Sequence, residues 1–203
     1  MTLNLIALPR SAHFSAILLH MDRRSALLCM ALTPFVTEAR AGEAAIDPWR
    51  ARVLVGPDGK STSLIEHARS GRLVVVTMKG HWCGVCLGQL ARFSALRARL
   101  EKLNARVVGL NADPHRANAE AAKLVGIPLP ILSDSRHPVL EALGLWLAEA
   151  EQPMPGIVVF DECGRERGRL VGRSPGQRDE NAVIALLQKI AATPPKCQAQ
   201  PNA

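Results

Sequence analysis

The sequence contains no tyrosine, and aromatic residues make up only 3% of it. A core built from it must therefore be aliphatic, and a base-stacking surface for single-stranded nucleic acid is excluded. Its basic residues are spread along the chain. There is no Lys/Arg block, so the formal charge of +7 reads as a basic solvated surface and not as a nucleic-acid footprint. No apolar run is long enough to span a bilayer comfortably. Internal repeats and a second domain are also missing. Cysteine is sparse: five residues, Cys29, Cys83, Cys86, Cys163 and Cys197, are too few for a disulfide scaffold in a chain of this length. What is present is a hydrophobic content of 48% over 203 residues, enough for one domain with a real core plus a flank.

The flank is N-terminal. Met21-Asp22-Arg23-Arg24 is a charged start, and Ser25 to Val36 forms a short apolar stretch. Ala39 and Ala41 place small residues where signal peptidase reads. Residues 1–41 are therefore expected to be a signal peptide, cleaved after Ala41, with Met21 a candidate true start. Arg23-Arg24 loosely matches a twin-arginine signal. The competing readings are an uncleaved anchor and a buried helix. The expected location is extracytoplasmic, in a bacterial periplasm, with membrane contact only through the export signal. Residues 42–192 are expected to form the domain, and residues 193–203 a flexible tail after Pro194-Pro195.

Within the domain, strand and helix patterns alternate. Val53-Leu54-Val55 reads as a short strand, closed by the turn Gly56-Pro57-Asp58-Gly59. Ser63 can cap a short helix that Gly71 ends. Leu73 to Met78 is a continuous apolar run rich in valine, as expected of a strand buried on both faces. One helix is expected from Cys83 to Leu103, with Leu90, Phe93, Leu96, Leu100 and Leu103 on its apolar face and Asn104 ending it. Val107 to Leu110 is a second buried strand. Asp113-Pro114 opens a helix, with Pro at its first position, that Gly126 stops. An extended piece over 128–132 and a short helix near 139–143 follow. Gly156 to Phe160 and Arg169 to Gly172 form a hairpin, and a last helix carries Val183, Ile184, Leu187 and Ile190. This order predicts an α/β domain with a central mixed sheet and helices on both faces.

The chemistry concentrates in His81-Trp82-Cys83-Gly84-Val85-Cys86. The motif follows a buried strand and opens an amphipathic helix. Cys83 then sits at a helix N-terminus, where free N–H groups and the helix dipole favour a thiolate. Cys86, one turn on, lies within disulfide reach and is expected to be the deeper sulfur, resolving a mixed disulfide. Trp82 is expected to shield the pair from water. Lys79 and His81 add local positive potential or are simply exposed polar residues. Two blander readings compete. A zinc site needs two further ligands at motif spacing, and Cys163 and Cys197 do not supply a second Cys-x-x-Cys. A purely structural disulfide inside one helical turn constrains the unfolded chain little. No metal and no cofactor is implied. A non-catalytic dithiol that carries a soft metal is a further alternative. Cys163 and Cys197 read as surface thiols, as a disulfide with each other after export, or as resolving cysteines.

Trp-Cys-x-x-Cys after a buried strand resembles the thioredoxin superfamily. Gly80 to Leu90, Val108 to Asp113 and Leu129 to Asp134 are similar to its redoxin branch, the alkyl hydroperoxide reductase/thiol-specific antioxidant (peroxiredoxin-like) proteins. The resemblance runs from about Val53 to Leu187. It implies a thioredoxin-like fold and thiol–disulfide exchange at Cys83 and Cys86, with peroxiredoxin-like peroxidase activity as the alternative. The implied partners are protein or small-molecule thiols and disulfides, or peroxide, together with a thioredoxin-like or membrane electron donor. It also implies that Met154-Pro155 is the substrate-facing position, with Pro155 cis. Three departures stand out. The position that carries a buried Asp in thioredoxins proper is Thr77. No Pro-x-x-x-Thr-x-x-Cys pattern precedes either cysteine. Gln152, Pro153 and Met154 supply no Arg before the following strand.

Overall fold

The computed structural model describes residues 52–172 and 179–195 together with Cys197. The expected export segment lies outside the described residues, as does most of the tail. In chain order the elements are β1 (Leu54–Val55), β2 (Ser61–Thr62), α1 (Leu64–Ala68), β3 (Arg72–Thr77), α2 (Gly84–Ala95), α3 (Arg97–Lys102) and β4 (Ala105–Asn111). Then come α4 (His115–Leu124), β5 (Ile131–Ser133), α5 (Pro138–Ala142), β6 (Trp146–Leu147), β7 (Gln152–Pro153), β8 (Gly156–Phe160), β9 (Glu166–Val171) and α6 (Glu180–Ala192).

β3 is the organising strand. All six of its residues are buried, and β4 runs parallel on one side while β8 runs antiparallel on the other. A strand enclosed in this way needs no polar face, which accounts for the apolar run Leu73–Val76 between its polar ends Arg72 and Thr77. The full sheet has the order β2-β1-β5-β4-β3-β8-β9, and it is mixed as expected. Alternate side chains separate into two cores. Val74, Val76, Ile157 and Val159 face Leu90, Phe93, Val183 and Leu187 of α2 and α6. Leu73, Val75, Val108 and Val158 face Leu64, Val139 and Leu140 of α1 and α5. Helices therefore cover both faces.

Local chemistry sets the element ends. Ser63 caps α1 in a full capping box with Glu66. Gly71 has φ +135°, and a Cβ there would overlap the Asn104 carboxamide and carbonyl, so this turn requires glycine. The single helix expected from Cys83 to Leu103 is instead α2 and α3, broken at Leu96 (φ −91°, ψ 8°). Ser94 Oγ donates to the Leu90 carbonyl at 3.0 Å, a back-bond that bends helices. The break still lets Leu100 reach the core. Pro114 is the N-cap of α4 and not its first helical residue. β9 begins earlier than expected because its edge is polar and half-exposed, so hydrophobic periodicity marks only its end. Among the described residues no helix is long and apolar enough to cross a membrane.

Candidate active site

β3 ends at Thr77, and the chain turns back on itself to start α2. The Cys83 N–H donates to the Gly80 carbonyl at 3.1 Å, so residues 80–83 form a tight turn that delivers Cys83 to the helix N-cap. There Cys83 Sγ accepts the Cys86 N–H at 3.3 Å. A sulfur thus takes the place of the usual capping oxygen, in the field of the free N–H groups. Cys83 and Cys86 are joined as a disulfide, with Cα atoms 5.2 Å apart. Cys86 is 2% exposed and Cys83 7%, so the deeper sulfur is the expected one. Both belong to the core that includes Met78, Leu87 and Leu90. Once reduced to two thiols, a pair placed in this way can attack an incoming disulfide, or an electrophilic oxygen, and then close again on itself.

Trp82 is the residue expected to cover the pair. It is 63% exposed and folds back over Gly80, where an added Cβ would meet its Nε1. The two cysteines are part of the buried core of α2 and the sheet. Trp82, Gly84 and Val85 form the outer surface of the motif: Val85 is 57% exposed, and a Cβ on Gly84 would have no neighbour within 4 Å.

A polar chain that sequence reasoning did not anticipate reaches this turn. Asp113 Oδ2 accepts the His81 backbone N–H at 2.6 Å and pairs with His81 Nδ1 at 2.8 Å. The Asp113 N–H donates to Asn111 Oδ1 at 3.1 Å, and Asn111 Nδ2 approaches Oδ2 of Asp113 at 3.4 Å. Asn111 and Asn118 exchange amide hydrogen bonds at 2.8 Å in each direction, and Asn118 Nδ2 also donates to Ser133 Oγ at 3.0 Å. Asn111 and Asn118 are fully buried. The one signal in the sequence was the polar trio Asn111, Asp113 and Asn118 amid an apolar strand and an amphipathic helix. Lys79 is half-buried, with no ion pair among the described residues.

The register Thr77↔Gly156 brings Met154 and Pro155 to the same end of the sheet as the cysteines. Thr77 Oγ1 donates to the Met154 carbonyl at 2.6 Å, so the hydroxyl at the place of the missing Asp serves the backbone. The expected cis bond is not found: among the described residues no peptide bond is cis. Trans is the default for X–Pro, and the Met154 N–H and carbonyl are both held, by the Leu145 carbonyl and by Thr77.

Cys163 is bonded to Cys197, with Cα atoms 5.3 Å apart. Cys163 lies in the turn after Phe160, and Phe160 pairs with Leu73 at the other end of β3 from Thr77. The length of β8, about 15 Å at ~3.3 Å per residue, separates this disulfide from the first. In this structure Cys163 is therefore out of disulfide reach of Cys83. Among the described residues no group of three or more His, Cys, Asp and Glu is placed to hold a metal ion.

Comparison with known proteins agrees with this architecture. The chain is 27% identical over 133 residues to an Entamoeba histolytica protein named as a peroxiredoxin, a match covering 62% of this chain. The matched part amounts to 57% of that relative's length. Among solved structures, the Mycobacterium tuberculosis peroxidoxin BcpB superposes with TM-score 0.62 at 20% identity, covering 68% of this chain and 92% of that one. Peroxiredoxin Q of Xanthomonas campestris superposes with TM-score 0.64 at 17% identity, covering 72% and 96%. These likenesses establish the thioredoxin-like fold. The AhpC/TSA family profile matches residues 46–165, more than half of the sequence, and the chain belongs to the AhpC/TSA family.

Proposed function

We propose that the protein is a thiol–disulfide oxidoreductase in which Cys83 attacks and Cys86 resolves. The observation that carries this reading is the Cys83–Cys86 pair at the N-cap of α2, directly behind the central strand. In the reducing direction, the Cys83 thiolate attacks a substrate disulfide, forms a mixed disulfide and expels one substrate thiolate. Cys86 loses its proton, attacks Cys83 Sγ and releases the second substrate thiolate. The protein gives up two electrons and two protons, and the substrate takes both. The bare rim of Trp82, Gly84 and Val85 supports approach of an extended thiol substrate, with Met154 and Pro155 at the same end of the sheet.

A second reading, thiol peroxidase activity, is favoured by the family and by the peroxiredoxin names of its relatives. In it, a Cys thiolate takes oxygen from a peroxide to give a sulfenic acid, and the other Cys condenses with it, losing water and closing the disulfide. The absent Pro-x-x-x-Thr-x-x-Cys pattern and the missing Arg beside Met154 weigh against it.

One experiment separates the two. The reduced protein is given a model disulfide (insulin) and, in parallel, hydrogen peroxide. We expect insulin reduction that Cys83→Ser abolishes, a mixed disulfide trapped by Cys86→Ser, and peroxide consumption near that of a free thiol. Full insulin reduction by the Cys83→Ser protein overturns the first reading. Peroxide turnover far above free thiol, with slow insulin reduction, replaces it with the second.

The proposed location is extracytoplasmic. The pattern of residues 21–41 supports it, and so does the Cys163–Cys197 disulfide, since such bonds persist in oxidising compartments. The electron donor is proposed to be a thioredoxin-like or membrane-bound dithiol. N-terminal sequencing of the mature protein tests cleavage after Ala41; a chain retaining Met1 in the cytosol overturns it.

A further inference from the structure

The dithiol reaction needs a group to take up and return protons, and the position that supplies one in thioredoxins proper is here Thr77. Its hydroxyl is engaged with the Met154 carbonyl at 2.6 Å and does not exchange protons at neutral pH. We propose that His81, oriented by Asp113, serves the proton exchange of the Cys83/Cys86 couple, and that Asp113 is a positioning residue for it. This rests on the reading of Cys83 and Cys86 as the reactive pair.

The geometry is that of an oriented imidazole. Asp113 Oδ2 accepts from both the His81 backbone N–H and Nδ1. With the proton on Nδ1 committed to the carboxylate, Nε2 is left as the basic nitrogen, and the ring cannot turn freely. His81 follows Gly80 in the turn that the Cys83 N–H closes, so the ring is anchored two residues from the attacking sulfur. Gly80 makes this possible, because a Cβ there would lie 2.8 Å from Asp113 Oδ2. Asp113 is in turn fixed from below by Asn111, Asn118 and Ser133, on β4, α4 and β5. Buried amides that satisfy one another form a stiff support. The His81 side chain is 40% exposed, so protons pass between it and solvent. Asp113 is its one ionic partner among the described residues, and Lys79 is the nearest cationic side chain in sequence.

The step balances. In substrate reduction, the Cys83 thiol gives its proton to His81 Nε2 and attacks as the thiolate. The imidazolium then returns that proton to the substrate thiolate that leaves. The second proton passes from Cys86 to the second leaving thiolate by the same route.

The test is the rate of iodoacetamide alkylation of Cys83 in the fully reduced protein across pH, with the modified residue located by peptide mass spectrometry. It is run on the wild type, His81→Ala, Asp113→Ala and the double variant. We expect each single variant to slow alkylation at neutral pH about tenfold, the scale of a one-unit change in thiol ionisation, and to move its midpoint to higher pH. The double variant should be no slower than either single one, because the two residues act as one unit. Asp113→Asn, which can still accept from Nδ1, should recover part of the rate. His81→Ala alters only a half-exposed side chain and keeps the test valid if Asp113→Ala misfolds. An alkylation profile unchanged by His81→Ala overturns the inference. If Cys83→Ser retains insulin reduction, it is the reading of the reactive pair that has failed; if Cys83→Ser is inactive and His81→Ala is unchanged, only the role of His81 has.

Discussion

Removing the Cys163–Cys197 bond should lower stability without touching catalysis. The two cysteines stand 34 residues apart, and the chain-entropy relation for closing a loop of that size gives about 4 kcal/mol. The folded state has little to lose beyond this constraint. α6 stays anchored through Val183, Ile184, Leu187 and Ile190. The Cys163 turn stays closed, because the buried Asp161 carboxylate accepts from the Cys163 and Arg165 N–H groups at 2.9 Å and from Arg167 Nη1 at 3.1 Å. For a domain of this size each kcal/mol moves the melting temperature by roughly 2–4 °C, so Cys163→Ser with Cys197→Ser should melt about 10 °C lower. Thermal unfolding followed by circular dichroism, with and without a strong reductant, measures it. In strong reductant, which also opens Cys83–Cys86 in both proteins, the wild type and the variant should melt at the same temperature. Insulin reduction should be unchanged, since the bond lies across the sheet from Cys83. A melting temperature within about 1 °C of the wild type refutes the staple, and lost turnover refutes the separation of the two disulfides.

Burial holds His67 below its ordinary pKa, with Arg106 adding to the effect and Glu66 opposing it. The fold therefore prefers the neutral ring. Its contribution is fully present above the unfolded value and is lost as pH falls through the depressed folded value. His67→Gln should flatten the decline of the urea midpoint on the acid side of pH 6.5, and an identical decline in both proteins refutes this. Phe93 is fully buried between α2 and the sheet, and Phe93→Ala should cost about 3–5 kcal/mol in chemical denaturation; a loss under ~1 kcal/mol would show that the site collapses freely. Gly80→Ala pushes against Trp82 and Asp113. The exposed indole can yield but the held Asp113 carboxylate, 2.8 Å from the new Cβ, yields less, so stability should fall by about 1–3 kcal/mol while insulin reduction slows markedly; unchanged turnover would show that the turn tolerates the methyl group.

The parts of this protein legible from its sequence are those governed by neighbours along the chain. The valine run of β3, the capping box of Ser63, the glycine at position 71 and the Cys-x-x-Cys spacing each express a rule that acts over a few residues. Together they determined the mixed sheet, the helices on both faces and the cysteine at a helix start. Folding alone decided what depends on residues far apart. The His81–Asp113 contact joins positions 32 residues apart, and its support from Asn118 and Ser133 comes from separate elements. Hydrophobic periodicity carries no record of which amides will meet. The outward turn of Trp82, the engagement of Thr77 with Met154 and the trans bond before Pro155 likewise follow from the loop that β8 brings alongside β3. The pairing of Cys163 with Cys197 was one of several possibilities until the antiparallel register of β8 placed that turn at the end of the sheet away from Cys83. Local propensity reads the path of the chain, while the meeting of side chains across the fold is set by register and packing.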